Sequence, residues 1–176
     1  YDLTRDSHAN LTEGIATRFN NYRRITGRES DGPFGSGQWA EKDEWVLLYD
    51  EYDVYRVRPD DGKHERLTQG AEDRIRYRQV RLDLEEDTLE LIGPIYFRAY
   101  GDVTKLAGYY RFEKGNRLSR LLYEPLQIDR LLKAEDADVF VYRTQKADRS
   151  PNFYRVDSGF NAPVQLTDTN PQQEEY

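Results

Sequence analysis

The chain has 176 residues and a net charge of −7, and it is lean in apolar residues, with 37% hydrophobic and 34% charged. The acidic balance argues against a general nucleic-acid binder or a binder of anionic membranes, because both depend on positive charge. Zero Cys excludes disulfides and thiolate chemistry. The 14 Tyr, each with a large ring and a polar tip, suit many short strands better than a helical bundle.

The chain starts at Tyr1 and contains no Met, so we expect it to be an internal piece of a longer protein. No apolar stretch approaches the roughly 20 residues of a membrane span, and no signal peptide is visible. Any targeting signal would then lie outside these residues. The compartment stays open, with a periplasmic or secreted location favoured over a cytoplasmic one.

Residues 1–37 carry the weakest pattern of the chain. The stretch Ile15–Ile25 predicts a strand, and Gly27–Pro33 predicts a loop. The glycine-rich run Gly32–Gly37 lacks the Lys-Ser/Thr with which a phosphate-binding P-loop ends, so a surface loop is the simpler interpretation. Asn10 opens a three-residue glycosylation sequon of a kind that often arises by chance.

The segment Trp45–Thr68 predicts three antiparallel strands joined by two tight turns. The uninterrupted apolar run Trp45–Tyr49 is typical of a strand buried on both faces. The second strand covers Val54–Val57, and Pro59–Gly62 is a strong turn, because Pro fixes φ and Gly accepts a positive φ. The third strand ends at Leu67-Thr68.

A second meander and a third group of strands follow. Alternating apolar residues predict strands at 76–84, 88–92, 95–100, 106–112, 118–123, 138–143, 153–156 and 164–167. A polar insertion is expected at 144–151. After Pro125, the spacing of Ile128, Leu131 and Leu132 predicts a short helix around 129–134.

An internal repeat is the most informative feature of the sequence. Tyr55-Arg56-Val57 is followed after nine residues by Leu67-Thr68, and the same pattern returns 99 residues later as Tyr154-Arg155-Val156 and Leu166-Thr167. Tyr110-Arg111-Phe112 lies between them. The intervals of 55 and 44 residues are close to the roughly 40 to 50 residues of a four-stranded propeller blade.

The predicted fold class is therefore all-β, a partial β-propeller of about three four-stranded antiparallel blades with one short helix. We assign residues 1–37 to a partial blade or irregular lead-in, 38–173 to the blades, and 174–176 to a connector toward a downstream domain. Three blades do not close a large ring. We therefore also expect open sheet edges that invite self-association.

No catalytic constellation is encoded in the sequence. No Ser has Gly on both sides in the G-x-S-x-G arrangement, and Ser36 has Phe34 and Gln38 at those positions. The only histidines are His8 and His64, and we expect His64 to be an exposed strand residue rather than a base. We therefore predict no catalytic residue, no metal site and no cofactor, and the sequence does not identify the substrate-binding residues.

Two acidic groups occur in predicted turns, and the first is a candidate set of calcium ligands. Carboxylate oxygens suit Ca²⁺, but the first group has no EF-hand spacing and turn Asp residues are common without metal. The first group comprises Asp50, Glu51, Asp53, Asp60 and Asp61. The second, Glu85-Glu86-Asp87, is most simply a solvated turn.

Several motifs together resemble the N-terminal β-propeller of bacterial serine peptidases of the prolyl oligopeptidase family. The likeness covers most of residues 38–173 in the same order. Its motifs are Trp45–Tyr55 with Arg58–Gly62 and Arg66–Thr68, Lys105–Tyr110, Lys133–Asp138, Pro151–Tyr154, and Leu166-Thr167 through Asn170–Gln173. Each motif alone is strand and turn chemistry.

The resemblance implies that this chain is the non-catalytic propeller of such a peptidase, where it gates or positions peptide substrates. A downstream α/β-hydrolase domain of the same parent chain would then carry the Ser, Asp and His. The alternative is a stand-alone propeller module for binding or scaffolding. A third possibility is a carbohydrate-binding β-sandwich using Trp39, although the position of Trp39 beside a strand suggests a core residue.

Overall fold

The computed structural model describes residues 6, 8–21, 32–83, 85–90, 93–113, 115 and 117–172. Its strands are β1 (Ser36–Ala40), β2 (Val46–Tyr49), β3 (Val54–Val57), β4 (His64–Arg66), β5 (Ile75–Gln79), β6 (Thr88–Leu89), β7 (Ile95–Gly101), β8 (Ala107–Glu113), β9 (Arg117–Glu124), β10 (Gln127–Lys133), β11 (Phe140–Lys146), β12 (Arg149–Val156) and β13 (Val164–Gln165). One short helix, α1 (Gly70–Asp73), and a 3₁₀ turn (Glu41–Asp43) complete the described elements.

The chain is all-β, as predicted, and its strands form three sheets. The sheets follow one another along the sequence, except that β6 joins the first sheet although it comes after β5 of the second. Their orders are β4-β3-β2-β1-β6, β5-β7-β8-β9 and β10-β11-β12-β13. The strands β1 to β4 and β10 to β13 each form an antiparallel up-and-down meander, and β6 pairs in parallel with β1. In the second sheet β7, β8 and β9 are antiparallel, and β5 lies beside β7 as the fourth strand. Such meanders are the blades of β-propeller folds.

The residues divide into two compact units, the first containing 1–78 and 87–93 and the second containing 79–86 and 94–176. In the first unit, β2, β3 and β4 form the meander predicted for 45–68, with the turn at Pro59–Gly62. Gly62 adopts a φ of 69°, and the Asp61 carboxylate accepts the Lys63 N–H at 3.1 Å. Local turn chemistry therefore fixes this hairpin.

The N-terminal lead-in contributes side chains to the core of the first unit rather than a regular strand. Residues 15–21 hold only an isolated bridge between Asn20 and Pro33, so this half of the predicted strand is wrong, and 22–25 lie outside the described residues. Phe19 packs edge-on against Tyr55 with ring centres 5.4 Å apart. Leu11 and Ile15 cover the same cluster.

The core of the second unit lies between its two sheets and is largely aromatic. Phe140 is completely buried, and its ring lies 5.5 Å from Tyr96 and 5.9 Å from Phe160. Tyr109 buries its ring in this cluster and donates its hydroxyl to the Arg130 carbonyl at 2.8 Å. The abundant Tyr thus fills the core while keeping its polar tip satisfied.

The helix predicted at 129–134 is wrong, since these residues lie in β10. The register pairs Ile128 with Thr144 and Arg130 with Arg143, so β10 has one extra residue between Ile128 and Arg130. This β-bulge reverses the in–out phase of the strand. Ile128 and Leu131 therefore both face the core, 1% and 4% exposed, and their three-residue spacing resembles that of a helix.

The polar insertion predicted at 144–151 is also largely strand. β11 continues to Lys146 and β12 begins at Arg149, so only a two-residue turn separates them. Thr144 and Asn152 are paired across the two strands and both are buried. Both residues belong to the sheet. The Asn152 side chain has hydrogen-bond partners there, whereas the buried Thr144 hydroxyl has none among the described residues.

The sequence repeat corresponds to a structural repeat. The triplets beginning at Tyr55, Tyr110 and Tyr154 lie on β3, β8 and β12, each the third strand of its four-stranded meander. Their last residues Val57, Phe112 and Val156 are all buried. A residue pattern that recurs at the same strand of successive sheets is the signature of a repeat architecture.

Candidate functional site

Two buried carboxylates, Asp50 and Asp53, lie at the turn between β2 and β3. Asp50 accepts the backbone N–H groups of Tyr52 and Asp53 at 2.8 and 2.5 Å, and the Thr17 hydroxyl at 2.9 Å. These bonds satisfy its oxygens within the turn. Asp50 therefore shapes the turn and holds the N-terminal lead-in against it.

Asp53 is the centre of the most extensive side-chain network in the described part of the chain. Its carboxylate, 0% exposed, accepts the Thr68 hydroxyl at 2.6 Å and the backbone N–H groups of Gly70 and Ala71 at 2.5 and 3.1 Å. Arg66 Nη2 lies 2.8 Å from it. A buried charge needs this degree of pairing.

Thr68 links the Asp53 network to the sheet. Its Oγ1 accepts the Val54 N–H at 3.0 Å while the same hydroxyl donates to Asp53. The strand end, the turn and the first residues of α1 are thereby tied together. We call this arrangement, centred on Asp53 and Thr68, the first latch.

A second latch occupies the equivalent place in the repeat, 99 residues later. Asn152 Oδ1 accepts the Thr167 hydroxyl at 3.0 Å and the Thr169 N–H at 3.1 Å, and Thr167 Oγ1 accepts the Phe153 N–H at 3.0 Å. Each donor and acceptor occupies the same position as in the first latch. The Leu-Thr pair recurs because its hydroxyl closes this network.

Arg78 is a second basic group beside the acidic turn. Its guanidinium donates to the carbonyls of Tyr77 and Asp50 at 2.6 and 2.9 Å, and it lies 4.8 Å from the centre of the Tyr49 ring. Burial lowers its pKa from the ordinary value, with nearby Arg76 adding to the effect. The contacts position Arg78 as a clamp on the turn backbone.

Two buried tyrosines give the fold a predicted alkaline sensitivity. The pKa of Tyr55 and that of Tyr142 are each raised to about 12, and burial is the largest cause in both cases. An unfolded Tyr has a pKa of about 10. The folded state holds these protons more tightly, so its stability is complete below about pH 10 and falls as pH rises toward about 12.

The expected result is a lower melting temperature at about pH 11 than at about pH 9, with phenolate absorbance appearing on unfolding. Tyr142→Phe should make this decline shallower, because the variant loses one of the tyrosines whose pKa is raised by burial. Equal melting temperatures at the two pH values would contradict the prediction.

The fold does not bring Ser36 and His64 together, as serine-hydrolase chemistry would require. Ser36 begins β1 and His64 begins β4, at opposite sides of β2 and β3 in one sheet. Three strand spacings amount to about 14 Å, which is far beyond hydrogen-bond reach. His8 and His64 are both exposed, and His64 Nδ1 lies 3.2 Å from the Gly62 carbonyl oxygen.

Three carboxylates of the first candidate calcium group have partners within the protein. Asp50 and Asp53 serve the turn and the first latch, while Asp61 pairs with Arg58, which lowers the pKa of Asp61. Glu85 donates its N–H to Asp83 at 2.8 Å in an exposed turn. Within the described ranges, no three His, Cys, Asp or Glu residues are grouped to hold a metal ion.

The remaining candidates from the sequence are the sequon at Asn10, the glycine-rich run and Trp39. Asn10 is exposed, and its side-chain oxygen accepts the Thr12 N–H and hydroxyl at 3.1 and 2.9 Å, which is a local turn. Of the glycine-rich run, Ser36 and Gly37 belong to β1 rather than to a loop. Trp39 is 43% exposed, so the prediction of a core residue is wrong.

The position of Trp39 at β1 explains its exposure. β1 is covered along one side by only a two-residue parallel strand, β6, which pairs with Trp39 and Ala40. Ala40, the next residue, points to the opposite face and is 1% exposed. The small residue is therefore the buried one and the large ring reaches solvent.

Comparison with known proteins gives distant likenesses among solved structures alone. No family model matches the chain, and no curated protein matches it. Among solved structures, it is similar to one described as putative TolB from Agrobacterium tumefaciens, with a TM-score of 0.36 and 12% identity over 75% of this chain and 61% of that chain. The chain thus spans less than two thirds of that structure.

No helix in the described ranges is long and apolar enough to cross a membrane. The assignment of propeller-type blades follows from the three meanders and the two latches of the chain itself.

Proposed function

We propose that this chain is the non-catalytic propeller part of a serine peptidase similar to prolyl oligopeptidase, and that it gates or positions peptide substrates. The observation that supports this most is the ordered set of resembling motifs. Two of these motifs lie on the sheets: Trp45–Tyr55 covers β2 and the start of β3, and Pro151–Tyr154 lies in β12.

The described residues do not bring a Ser, a His and a carboxylate together, and the proposal assigns catalysis to a different domain. The buried carboxylates serve turns and latches, and the Ser and His candidates lie on separate strands. Hydrolysis would then belong to an α/β-hydrolase domain of the parent chain, with residues 38–173 as blades and 174–176 leading toward it. A ring of blades with a polar channel would admit short or unfolded peptides and exclude folded proteins.

The decisive experiment is to read the natural open reading frame beyond Tyr176. The proposal expects a G-x-S-x-G motif within about 150 to 250 residues, followed by Asp and then His. A stop codon soon after Tyr176, or further blades with no such motif, would instead identify a stand-alone binding or scaffold module and end the peptidase proposal.

A labelling experiment tests the same division in the protein. A fluorophosphonate probe, which reacts with activated serines, should label the parent protein outside these residues and leave the isolated chain unlabelled. Ser36→Ala is the matched control for the isolated chain. Labelling of the isolated chain that is lost in this variant would show that the chain itself carries a nucleophile.

A further inference from the structure

The loop between β12 and β13, residues 157–163, inserts an aromatic side chain into the core of the second unit. The Phe160 ring is stacked on Tyr142, with ring centres 5.9 Å apart and planes inclined by 22°. Its centre also lies 5.9 Å from that of Phe140 and 6.1 Å from that of Tyr109. One sheet supplies Tyr109 and the other supplies Phe140 and Tyr142. Phe160 therefore fills a space walled by three aromatic rings, which we call the aromatic cleft.

The loop backbone is strained where it carries this ring. Phe160 has a φ of 57° and Ala162 a φ of 45°. Residues with a side chain avoid this left-handed region, because their Cβ crowds the neighbouring carbonyl oxygen. Such conformations persist where surrounding contacts enforce them, and they are frequent in ligand clamps and switch segments. The ring contacts in the aromatic cleft therefore offset an unfavourable backbone.

The start of the loop is anchored by polar contacts at the surface. The exposed Asp138 carboxylate accepts the Ser158 N–H and the Ser158 hydroxyl, each at 3.0 Å. The Arg111 guanidinium donates to the Ser158 carbonyl at 2.9 Å. Hydrogen bonds of this kind can be exchanged with water, and none of them belongs to a sheet ladder. The loop can therefore leave the aromatic cleft without the separation of any strands.

The internal repeat shows that the hairpin does not require an aromatic residue here. The 99-residue offset equates Phe160 with Asp61, in the turn between β3 and β4. Asp61 is exposed and pairs with Arg58, and Gly62 supplies the positive φ of that turn. The first meander thus closes the same hairpin with polar residues and a glycine. The inserted ring of Phe160 is an addition to the repeat.

We propose that the aromatic cleft is a binding site for an aromatic side chain of a peptide, and that Phe160 occupies it as an internal plug. The cleft already holds a phenyl ring carried on a polypeptide, and its aromatic walls favour a planar ring through stacked and edge contacts. A ligand that displaces Phe160 also relieves the left-handed backbone of the loop. This binding needs no hydrolase domain, so it can fail while the peptidase proposal holds, and the reverse.

Fluorine NMR of the chain with para-fluorophenylalanine at its seven Phe positions tests the proposal. The Phe160 resonance is identified by its loss in Phe160→Leu. N-acetylphenylalanine methylamide, titrated to about 20 mM, is expected to move this resonance toward that of a solvent-exposed ring, as in a weak competitive exchange. The leucine analogue of the probe should need an about fivefold higher concentration, because it lacks a ring.

Two loop variants should move the displacement in opposite directions. Asp138→Ala removes the anchor of Ser158, so the probe concentration at half-displacement should fall about threefold or more. Asp136→Ala is the matched control, because it removes the same charge from an exposed position two residues away. Ala162→Gly should raise that concentration about twofold, because glycine adopts the left-handed backbone readily and stabilises the closed loop.

Circular dichroism verifies that each variant is folded, and the titration of the unmodified chain is decisive without them. A Phe160 resonance that does not move over the whole probe range would overturn the proposal. Equal displacement by the leucine analogue would also overturn it, since the cleft would then not select a ring. The plug would be refuted if folded Asp138→Ala responded no differently from Asp136→Ala.

Discussion

Asp53→Ala is expected to lower the free energy of unfolding by about 3 kcal/mol, measured by urea denaturation. The variant leaves the buried hydroxyl of Thr68 and the N–H of Gly70 without their acceptor, and it removes the charge that pairs with Arg66. The expected loss lies at the lower end of the range for a buried pair, because Arg66 is about one third exposed and solvent screens its interaction with Asp53.

Asp60→Ala is the matched control, since it removes the same charge from an exposed position in the next turn. Its expected effect is within about 0.5 kcal/mol. The double variant Asp53→Asn with Arg66→Gln converts the first latch toward the pattern of the second, which has Asn152 and Gln165 at these places. It should lose less stability than Asp53→Ala, and equal losses would contradict the latch equivalence.

Phe140→Ala is expected to cost about 3 to 5 kcal/mol. The Phe140 ring is fully buried between the two sheets of its unit and touches Tyr96 and Phe160, so the truncation leaves a cavity with aromatic walls. Neighbouring rings on strands are held by their cross-strand partners and collapse only partly into such a space.

Phe153→Ala, in β12 of the same sheet, is the control, because it removes the same kind of side chain from a less buried position. Phe153 is only half-buried, so its loss should cost about 1 kcal/mol. A cost for Phe140→Ala similar to that of Phe153→Ala would show that the core of the second unit is not where the structure places it.

The strands and turns with strong local chemistry could be predicted from the sequence. The hairpin around Pro59–Gly62 and the buried run at Val46–Tyr49 follow from proline, glycine and an apolar stretch. The repeat was also visible, because its Tyr-Arg-Val and Leu-Thr elements recur at fixed spacing. Local propensity and repetition are properties that a sequence displays without its tertiary structure.

Two predictions are wrong for the same physical reason. The spacing of apolar residues along a segment does not show which strand the segment pairs with, or in which register. Ile128 and Leu131 mimic a helix because a bulge shifts the phase of β10, and only the pairing with β11 reveals the extra residue. Trp39 was predicted to be in the core from its position beside a strand, yet Ala40 is the residue that points inward. Register decides both cases.

For the candidate site, too, the sequence shows some features and only the structure shows the others. Acidic residues at the turn after β2 were visible in the sequence and raised the question of calcium, but their partners were not. Thr68 and Gly70 approach Asp53 from 15 and 17 residues away, and Thr17 approaches Asp50 from 33 residues away. These contacts turn the carboxylates into structural acceptors.

The sequence by itself determined the all-β class, the positions of the tight turns and the repeat, because these depend on residues close together or on spacing alone. Only the tertiary structure decided which residues face inward, that Leu-Thr closes a latch with Asp53 or Asn152, and that Leu166 is exposed where Leu67 is buried. Those outcomes depend on strand register and on distant neighbours, which a one-dimensional pattern does not contain.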